Sequence, residues 1–406
     1  MPDGISGCAE TSPKYRLLLL APFPVFPPRH GGAACVRALT AALAKRQEVR
    51  LLTPGPPPPP ESRVVPVEAF SLGPLTRPLR AMGPSFSRRF KRAARRAASA
   101  HRAHIVQAET LWACEAAHAA CRTLGCPFVF TAHNAESEKL RSLGFSPSVV
   151  AITRWLERRA AHRADAIVAF AAEDRRLLAQ HHKLGSEKVV RIPAPAGLTP
   201  AVGSEARRAL RDKWGIPPEA AVLLFVGHLD YRPNAEALEV LRNELAPPLA
   251  RARERVIFLI VGRGGVASPA RHDPMFRFTG LVSDTALTEL LQIADIVPAP
   301  IQQGSGVSIK VLEALGAGCA VVTTTAGIRG LDVSPGHELL VEDEIDGFAR
   351  AVATLLGSVE RRRELGEHGR RYVTARHSPD AVATLYERIY ERLVEQRKGS
   401  EPRQSL

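Results

Sequence analysis

An α/β fold of two doubly wound domains facing a central cleft is what the sequence predicts, on three observations. Short, continuously apolar runs alternate with helical segments along nearly the whole chain, the pattern of parallel sheets covered on both faces. The alternation lapses at residues 193–205 (PAPAGLTPAVGSE), where Pro, Gly and Ala take over as in an interdomain linker. At 406 residues the chain is too long for one ordinary core and suits two domains of about 150 to 200 residues each.

In the first half RLLLLAP (16–22) reads as a buried strand, followed by a helix over 32–46 and the strand EVRLLT (48–53). HIVQAE (104–109), PFVFTA (127–132), AIVAFA (166–171) and VVRIPA (189–194) are further strands, and residues 148–164 form the longest of the intervening helices. The second half repeats the scheme with AVLLFVG (221–227), RVIFLIVG (255–262), MFRFTG (275–280), ADIVPAP (294–300) and CAVVTT (319–324). A last helix over 379–396 precedes a polar tail expected to be disordered. The expected division is an N-terminal domain over 1–195, a C-terminal domain over 196–378, and a C-terminal segment over 379–406 whose helix packs back on the first domain.

Two segments depart from the alternation. PGPPPPPES (54–62) is read as a stiff surface loop after a strand, with an SH3-type ligand as the alternative. In residues 76–104 Arg and Lys crowd a short helix carrying Phe86 and Phe90 one turn apart. A solvated charged face and a helix lying on an anionic membrane both fit it; no nucleic-acid recognition motif accompanies it.

Hydrophobic residues make up 45% of the chain, enough for two cores, and 55 Lys+Arg against 41 Asp+Glu give a net charge of +14 that favours anionic partners. The six cysteines form no CxxC pair and no metal-spaced cluster, so buried reduced thiols are expected. The N-terminus is not patterned as a signal peptide, and LLLLAPFPVF is too short and too proline-rich to span a bilayer. A cytoplasmic location is the expectation.

Ligands of doubly wound sheets bind beyond the carboxyl ends of the strands, so the loops there hold the candidate site residues. Gly31 and Gly32 precede the first helix and let backbone N–H groups approach an anion or a hydroxyl. His133, followed by Asn134, closes the strand 127–132 and can exchange hydrogen bonds with a substrate hydroxyl. The pairs His101/His104 and His181/His182 are read as solvated helix residues, not metal ligands. Gly227 and His228 end the first strand of the second half, with Arg232 beside a helix N-cap placed at Asn234. Gly280 and Val282 offer open backbone to a flat base. The stretch GSGVSIKVLEALGAGCAVVTT (304–324) brings Gly304, Ser305, Gly306, Val307 and Ser308 to a helix starting near 307. There Lys310 suits a phosphate, and Glu313 can accept both hydroxyls of a ribose. Three residues apart on one face, the two could equally form a plain surface ion pair.

Taken together, the GG loop, the HN after a central strand, "VGHLDYRPNAEALEVL", "FLIVGRGG", "FTGLVSD" and "GSGVSIKVLEALGAGCAVVTTTAGIRGL" resemble the GT4-type retaining glycosyltransferases of GT-B fold. The resemblance implies a C-terminal domain that binds a nucleotide-diphosphate sugar and an N-terminal domain that binds the acceptor, whether glycan, lipid-linked or small molecule. It implies transfer with retention, no cofactor beyond the sugar donor as co-substrate, and no metal, in keeping with the lack of a D-x-D motif. The basic segment 76–104 points towards a lipid-linked or membrane-proximal acceptor, as in surface polysaccharide or glycoconjugate synthesis, with a peripheral contact to an anionic membrane and no nucleic-acid partner. By the same resemblance Glu313 binds the donor ribose, Lys310 and Arg232 hold the diphosphate, and His133 works near the acceptor and the transferred sugar. Gly31 and Gly32 match the loop beside the acceptor and the donor phosphates. The family carries a pair of glutamates at the spacing of residues 305 and 313; here Ser305 stands for the first, as in a subgroup with a small residue there. His228 and Pro233 replace the Arg and Lys that many members use on the diphosphate. These departures leave two alternatives, a catalytically silent binder of nucleotide sugars and a GT-B nucleotide-sugar epimerase. "VGRGGVAS" (261–268) lacks the G-x-G-x-x-G register of a dinucleotide site.

Overall fold

The computed structural model describes residues 14–55, 65–66, 82–185, 187–252 and 255–400. Its first sheet comprises β1 (Arg16–Leu20), β2 (Glu48–Leu52), β3 (Val65–Pro66), β4 (Ile105–Glu109), β5 (Phe128–Ala132), β6 (Ala166–Ala169) and β7 (Val189–Arg191). All pairings are parallel, in the order β3-β2-β1-β4-β5-β6-β7. The second sheet takes β8 (Ala221–Val226), β9 (Val256–Val261), β10 (Phe276–Gly280), β11 (Ile296–Ala299), β12 (Ala320–Thr323) and β13 (Leu340–Val341). It is parallel as well, ordered β10-β9-β8-β11-β12-β13. Helices cover both faces of each sheet, which is why most strands carry apolar side chains in succession instead of alternating them: β4, β5, β6, β9, β11 and β12 are buried at every residue, β4 with Gln107 and Glu109 among them.

Each strand expected from an apolar run lies inside that run. The two unanticipated strands, β3 and β13, have two residues each, too few for any periodic signal. Both sheets reverse their winding next to their first strand, between β1 and β4 and between β8 and β11. Crevices open at such reversals, beyond the carboxyl ends of the strands.

The chain passes between the sheets twice. The first passage, Ile192–Gly203, has no regular structure and leads into the helix Ser204–Lys213. The second follows the helix Val359–Arg376, where His377 O accepts from Ala196 N at 2.9 Å and His377 Nδ1 donates to Ala194 O at 2.8 Å. The two passages are thus bonded side by side. The helix Pro379–Ser400 then buries Val382, Ala383, Tyr386, Ile389, Tyr390 and Leu393 against Leu17, Leu19, Val129 and Val168 of the first sheet. At about 1.5–3 kcal/mol for each large side chain removed from water, that contact outweighs the modest intrinsic propensity of the segment. The helix runs past the expected residue 396 to Ser400; the tail 401–406 lies outside the described residues, as do Cys8 and positions 56–62 of the polyproline run.

The basic segment is corrected in one respect. It contains two helices, Gly83–Phe86 and Arg88–His101, separated at Ser87, whose Oγ accepts from Phe90 N at 3.2 Å as an N-cap. Phe86 and Phe90 therefore do not share a face: Phe90 is buried and Phe86 is 55% exposed. Arg88, Arg89, Arg92, Arg95 and Arg96 are exposed. Residues 76–81 lie outside the described residues.

Candidate functional site

The last turn of β11 leads through residues 300–308 into the helix Ile309–Ala317, whose amide end faces the crevice. It begins two residues later than expected because Gly306 adopts φ +73, which reverses the chain before the helix can start. Lys310 lies in its first turn with Glu313 one turn on. No ion pair joins them among the described residues. Lys310 Nζ instead lies 4.5 Å from the centroid of the Phe225 ring and donates to Asn234 Oδ1. Burial lowers the Lys310 amine to about 7. Burial also raises the Glu313 carboxyl to about 7, with Asp284 adding to the rise and Arg37 opposing it. Burial thus brings the two groups, from opposite directions, close to neutral pH.

Asn234 connects this helix to β8. Its Nδ2 donates to His228 O at 2.9 Å while its Oδ1 accepts from Lys310. Asn234 was expected as the N-cap, but the helix runs Arg232–Val240 with Tyr231 at the cap. Pro233, suited to the first helical turn, brings the start forward, and the Asn234 side chain is spent on tertiary partners. Arg232 does not join the cluster: its Nε donates to Glu236 Oε1 at 2.7 Å and its side chain is 63% exposed. His228 is half-buried, with Nε2 3.7 Å from Asp230 Oδ2, and burial and nearby Arg263 lower its basicity. Gly227 lies against Asn234, and a Cβ at Gly262 would run into Gly227 O, so β8 and β9 end in close contact. Gly280 has open space beside it, and Val282 packs on the core of the second sheet.

The first sheet supplies the opposite wall. Gly31 opens the helix Gly31–Leu43, and a Cβ there would lie 2.9 Å from Ile309 Cβ. A Cβ at Gly32 would lie 3.3 Å from Nδ1 of both His30 and His133. His30 is a residue that sequence reasoning missed. It caps the helix by accepting from Ala33 N at 3.2 Å through Nδ1, and burial, with His133 beside it, lowers its basicity to about 4. Its position just before a GG pair that opens a helix was the available signal. Glu109, at the end of β4, was also missed: its Oε2 accepts from His133 Nε2 at 3.0 Å. Arg37, a turn and a half into the same helix, reaches across to pair with Asp284.

The loop after His133 is fastened from beneath. Asp174 Oδ1 accepts from Ala135 N at 2.8 Å, and Glu157 accepts from Glu136 N and Ser137 Oγ, both at 2.7 Å. Ser305 Oγ donates to Asn134 Oδ1 at 3.3 Å, and the missing Cβ of Gly306 lets the same amide approach its backbone. Gly304 O accepts from Arg329, Val307 packs on the second core, and Ser308 O receives Val311 N at 3.1 Å. The structure thus gathers Gly31, Gly32, His133, Asn134, Gly227, His228, Ser305, Gly306, Lys310 and Glu313 around one cleft.

His101 and His182 are corrected: both are buried, His101 against Glu48 and His182 against Glu157 at 3.3 Å, not solvated. Among the described residues no group of three or more His, Cys, Asp or Glu could hold a metal ion. Cys35, Cys114, Cys121, Cys126 and Cys319 are free and buried, and no described helix is long and apolar enough to cross a membrane.

Two family profiles match the chain, "Glycosyltransferase Family 4" over residues 29–199 and "Glycosyl transferases group 1" over 220–358. The chain is similar to D-inositol 3-phosphate glycosyltransferase 2 of Catenulispora acidiphila, 30% identical over 206 residues, 47% of each chain. It is 30% identical over 278 residues to the D-inositol 3-phosphate glycosyltransferase of Kineococcus radiotolerans, 61% of this chain and 62% of the other. The match to the phosphatidyl-myo-inositol mannosyltransferase of Mycolicibacterium smegmatis is 33% over 186 residues, 44% and 45%. The matched stretches thus span about half to three-fifths of these relatives. In fold it resembles the sucrose-phosphate synthase of Thermosynechococcus elongatus, with TM-score 0.78 at 17% identity over 94% of this chain and 100% of that one. HepE of Anabaena, solved with UDP-glucose, gives 0.70 at 17% identity over 93% and 100%.

Proposed function

The chain belongs to the GT4-type glycosyltransferases of GT-B fold, and from that premise we propose that it moves a sugar from a nucleotide-diphosphate sugar to an acceptor hydroxyl with retention and without a metal ion. One observation carries this reading: Lys310 and Glu313 stand on one helix at the floor of the cleft, each poised near neutrality by burial and neither paired with the other. A diphosphate at the amide end of the helix would restore the Lys310 charge, since a nearby anion favours the ammonium. Ribose hydroxyls donating to Glu313 would likewise favour its carboxylate. Binding would therefore form an ion pair between the Lys310 ammonium and the phosphate.

In the transfer, the bond from the anomeric carbon to the phosphate oxygen breaks and that carbon bonds to the acceptor oxygen on the same face. The electron pair stays on the diphosphate, and the acceptor proton passes to the departing phosphate oxygen. Lys310 and the helix amides stabilise the charge that grows there, the work a metal does elsewhere. His133 faces this region from the other wall, beside Gly32. Asn134, held by Ser305, borders the acceptor side. The exposed Arg88, Arg89, Arg92, Arg95 and Arg96, with Phe86 protruding nearby, support a peripheral contact with an anionic membrane and hence a lipid-linked acceptor. Polysaccharide or glycoconjugate assembly on the cytoplasmic side is the corresponding role.

The reading is tested by thermal unfolding against a panel of nucleoside diphosphates and nucleotide sugars. A ligand present at about 100 times its Kd stabilises the native state by about 2.7 kcal/mol. One nucleotide class should raise the melting temperature, and Glu313→Ala should abolish the rise. No rise with any member, or a rise that survives in the variant, overturns the donor site. Ser305 in place of a carboxylate favours a second reading, a silent binder; release of free sugar or of a glycosylated product eliminates it.

A further inference from the structure

We propose that Tyr390, Gln107 and Glu109 form a positioning chain that runs from the C-terminal helix along β4 to His133 and fixes which imidazole nitrogen faces the cleft. The proposal rests on the transferase reading, in which that imidazole serves the transferred sugar or the acceptor. Residues 105, 107 and 109 alternate onto one face of β4, the face against which the helix Pro379–Ser400 packs, with Ile105 in the same cluster as Tyr390. Tyr390 OH donates to Gln107 Oε1 at 2.5 Å. Gln107 Nε2 donates to Glu109 Oε1 at 2.6 Å, and His133 Nε2 meets Glu109 Oε2 at 3.0 Å. Tyr390, Gln107 and Glu109 are each at most 1% exposed.

With Glu109 as a carboxylate, the contacts set the protons along the chain. An ionised carboxylate can only accept, so Gln107 must present its NH2 to Glu109 and its oxygen to Tyr390. Tyr390, with burial holding its phenol well above its ordinary value, supplies the O–H. At the other end His133 must carry its proton on Nε2. Whenever the ring is neutral this leaves Nδ1 as an acceptor, the atom that lies toward Gly32 and the cleft.

A second observation marks the same strand end. Thr110, next after Glu109, has φ +74 and ψ 161, a region a β-branched residue rarely enters, and its Oγ1 is buried with no hydrogen-bond partner among the described residues. Strained backbone of this kind concentrates at functional sites. The C-terminal helix reaches this face only after the chain has passed through the second half. Seating that helix is therefore a condition for orienting the cleft histidine.

The experiment is NMR of the full chain labelled with 15N at histidine, the His133 signal being identified by its loss in His133→Gln. The expected result is an Nε2-protonated ring in the wild type. In Tyr390→Phe the Nε2 proton should exchange with water about threefold faster or more, because the amide of Gln107 loses the partner that orients it. Glu109→Leu should shift the ring toward the Nδ1-protonated form. Should that variant not fold, Glu109→Gln keeps an acceptor for Nε2 and should retain the tautomer while speeding exchange. An Nδ1-protonated ring in the wild type, or exchange unchanged in both Tyr390→Phe and Glu109→Gln, overturns the proposal. Melting of the same variants with UDP or GDP separates the two claims: a shift absent in wild type counts against the donor site alone, whereas the tautomer result stands without any nucleotide.

Discussion

Glu313→Gln should stabilise the unliganded protein, although Glu313 is the residue on which donor binding is proposed to depend. The carboxyl is raised from an ordinary 4.5 to about 7, burial being the largest cause. A group raised in this way favours folding most when both states are protonated, below about pH 4.5, and loses that contribution as pH rises toward 7. At 1.36 kcal/mol per pH unit the full penalty at pH 8 is about 3 kcal/mol. Water entering the cleft screens part of it, leaving about 1–2 kcal/mol. Glutamine keeps the shape without the charge, so at about pH 8 the variant should melt about 2–8 °C higher, on the usual scale of about 2–4 °C per kcal/mol. About a unit below the ordinary value of 4.5 the two proteins should melt together, because the carboxyl is then largely neutral in both states. With UDP or GDP present the order should reverse, since only the wild type gains from the ligand. Melting curves at both pH values, with and without nucleotide, read all of this. A variant less stable at pH 8, or a difference that does not change with pH, would show that Glu313 is a structural partner and refute the reasoning.

The other expectations are narrower. Gly262→Ala should cost about 2–5 kcal/mol, read as a lowered urea midpoint, because φ +139 is strained for alanine and its Cβ meets Gly227 O; a midpoint within error of wild type would contradict the close approach of β8 and β9. Arg232→Ala should leave the nucleotide-induced melting shift unchanged, since the guanidinium is committed to Glu236. A lost shift would return Arg232 to the diphosphate. Vesicles rich in phosphatidylglycerol should sediment the protein and pure phosphatidylcholine vesicles should not, and replacing Arg88, Arg92 and Arg95 with Glu should abolish the difference. Equal sedimentation with both lipids, or no effect of the replacements, would leave the arginines as a solvated face.

The sheets were legible because a strand covered on both faces has no solvent side, so its apolar residues run on without alternation: VIFLIV of β9 is buried throughout. The pairs β3 and β13 were not, for two residues carry no period. Helix starts were less secure wherever two capping devices compete. Asn234 is a good N-cap type, but Pro233 starts the helix earlier and the amide is worth more between His228 O and Lys310. The basic segment failed likewise at Ser87, whose cap divides what spacing alone would join.

Within the site, glycines and the helix with its lysine and glutamate were readable from order along the chain; depth was not. Lys310 and Glu313 lie three apart, the spacing of an ordinary surface pair, and no local rule separates that case from two unpaired groups in a crevice. What separates them is Phe225 and Asn234, brought by β8 and the helix after it, which draw the ammonium away from the carboxylate. Glu109 was hidden for a related reason. A charge closing the run HIVQAE reads as a strand reaching solvent, yet here it is 1% exposed. Its company explains this: the amide of Gln107 on one oxygen and the imidazole of His133 on the other satisfy a carboxylate that would otherwise be buried without partners. Those partners come from β4 itself and from β5, and Tyr390, which orients the amide, from nearly the end of the chain. A buried charge is interpretable only through its neighbours, and in a parallel sheet the neighbours are far away in sequence.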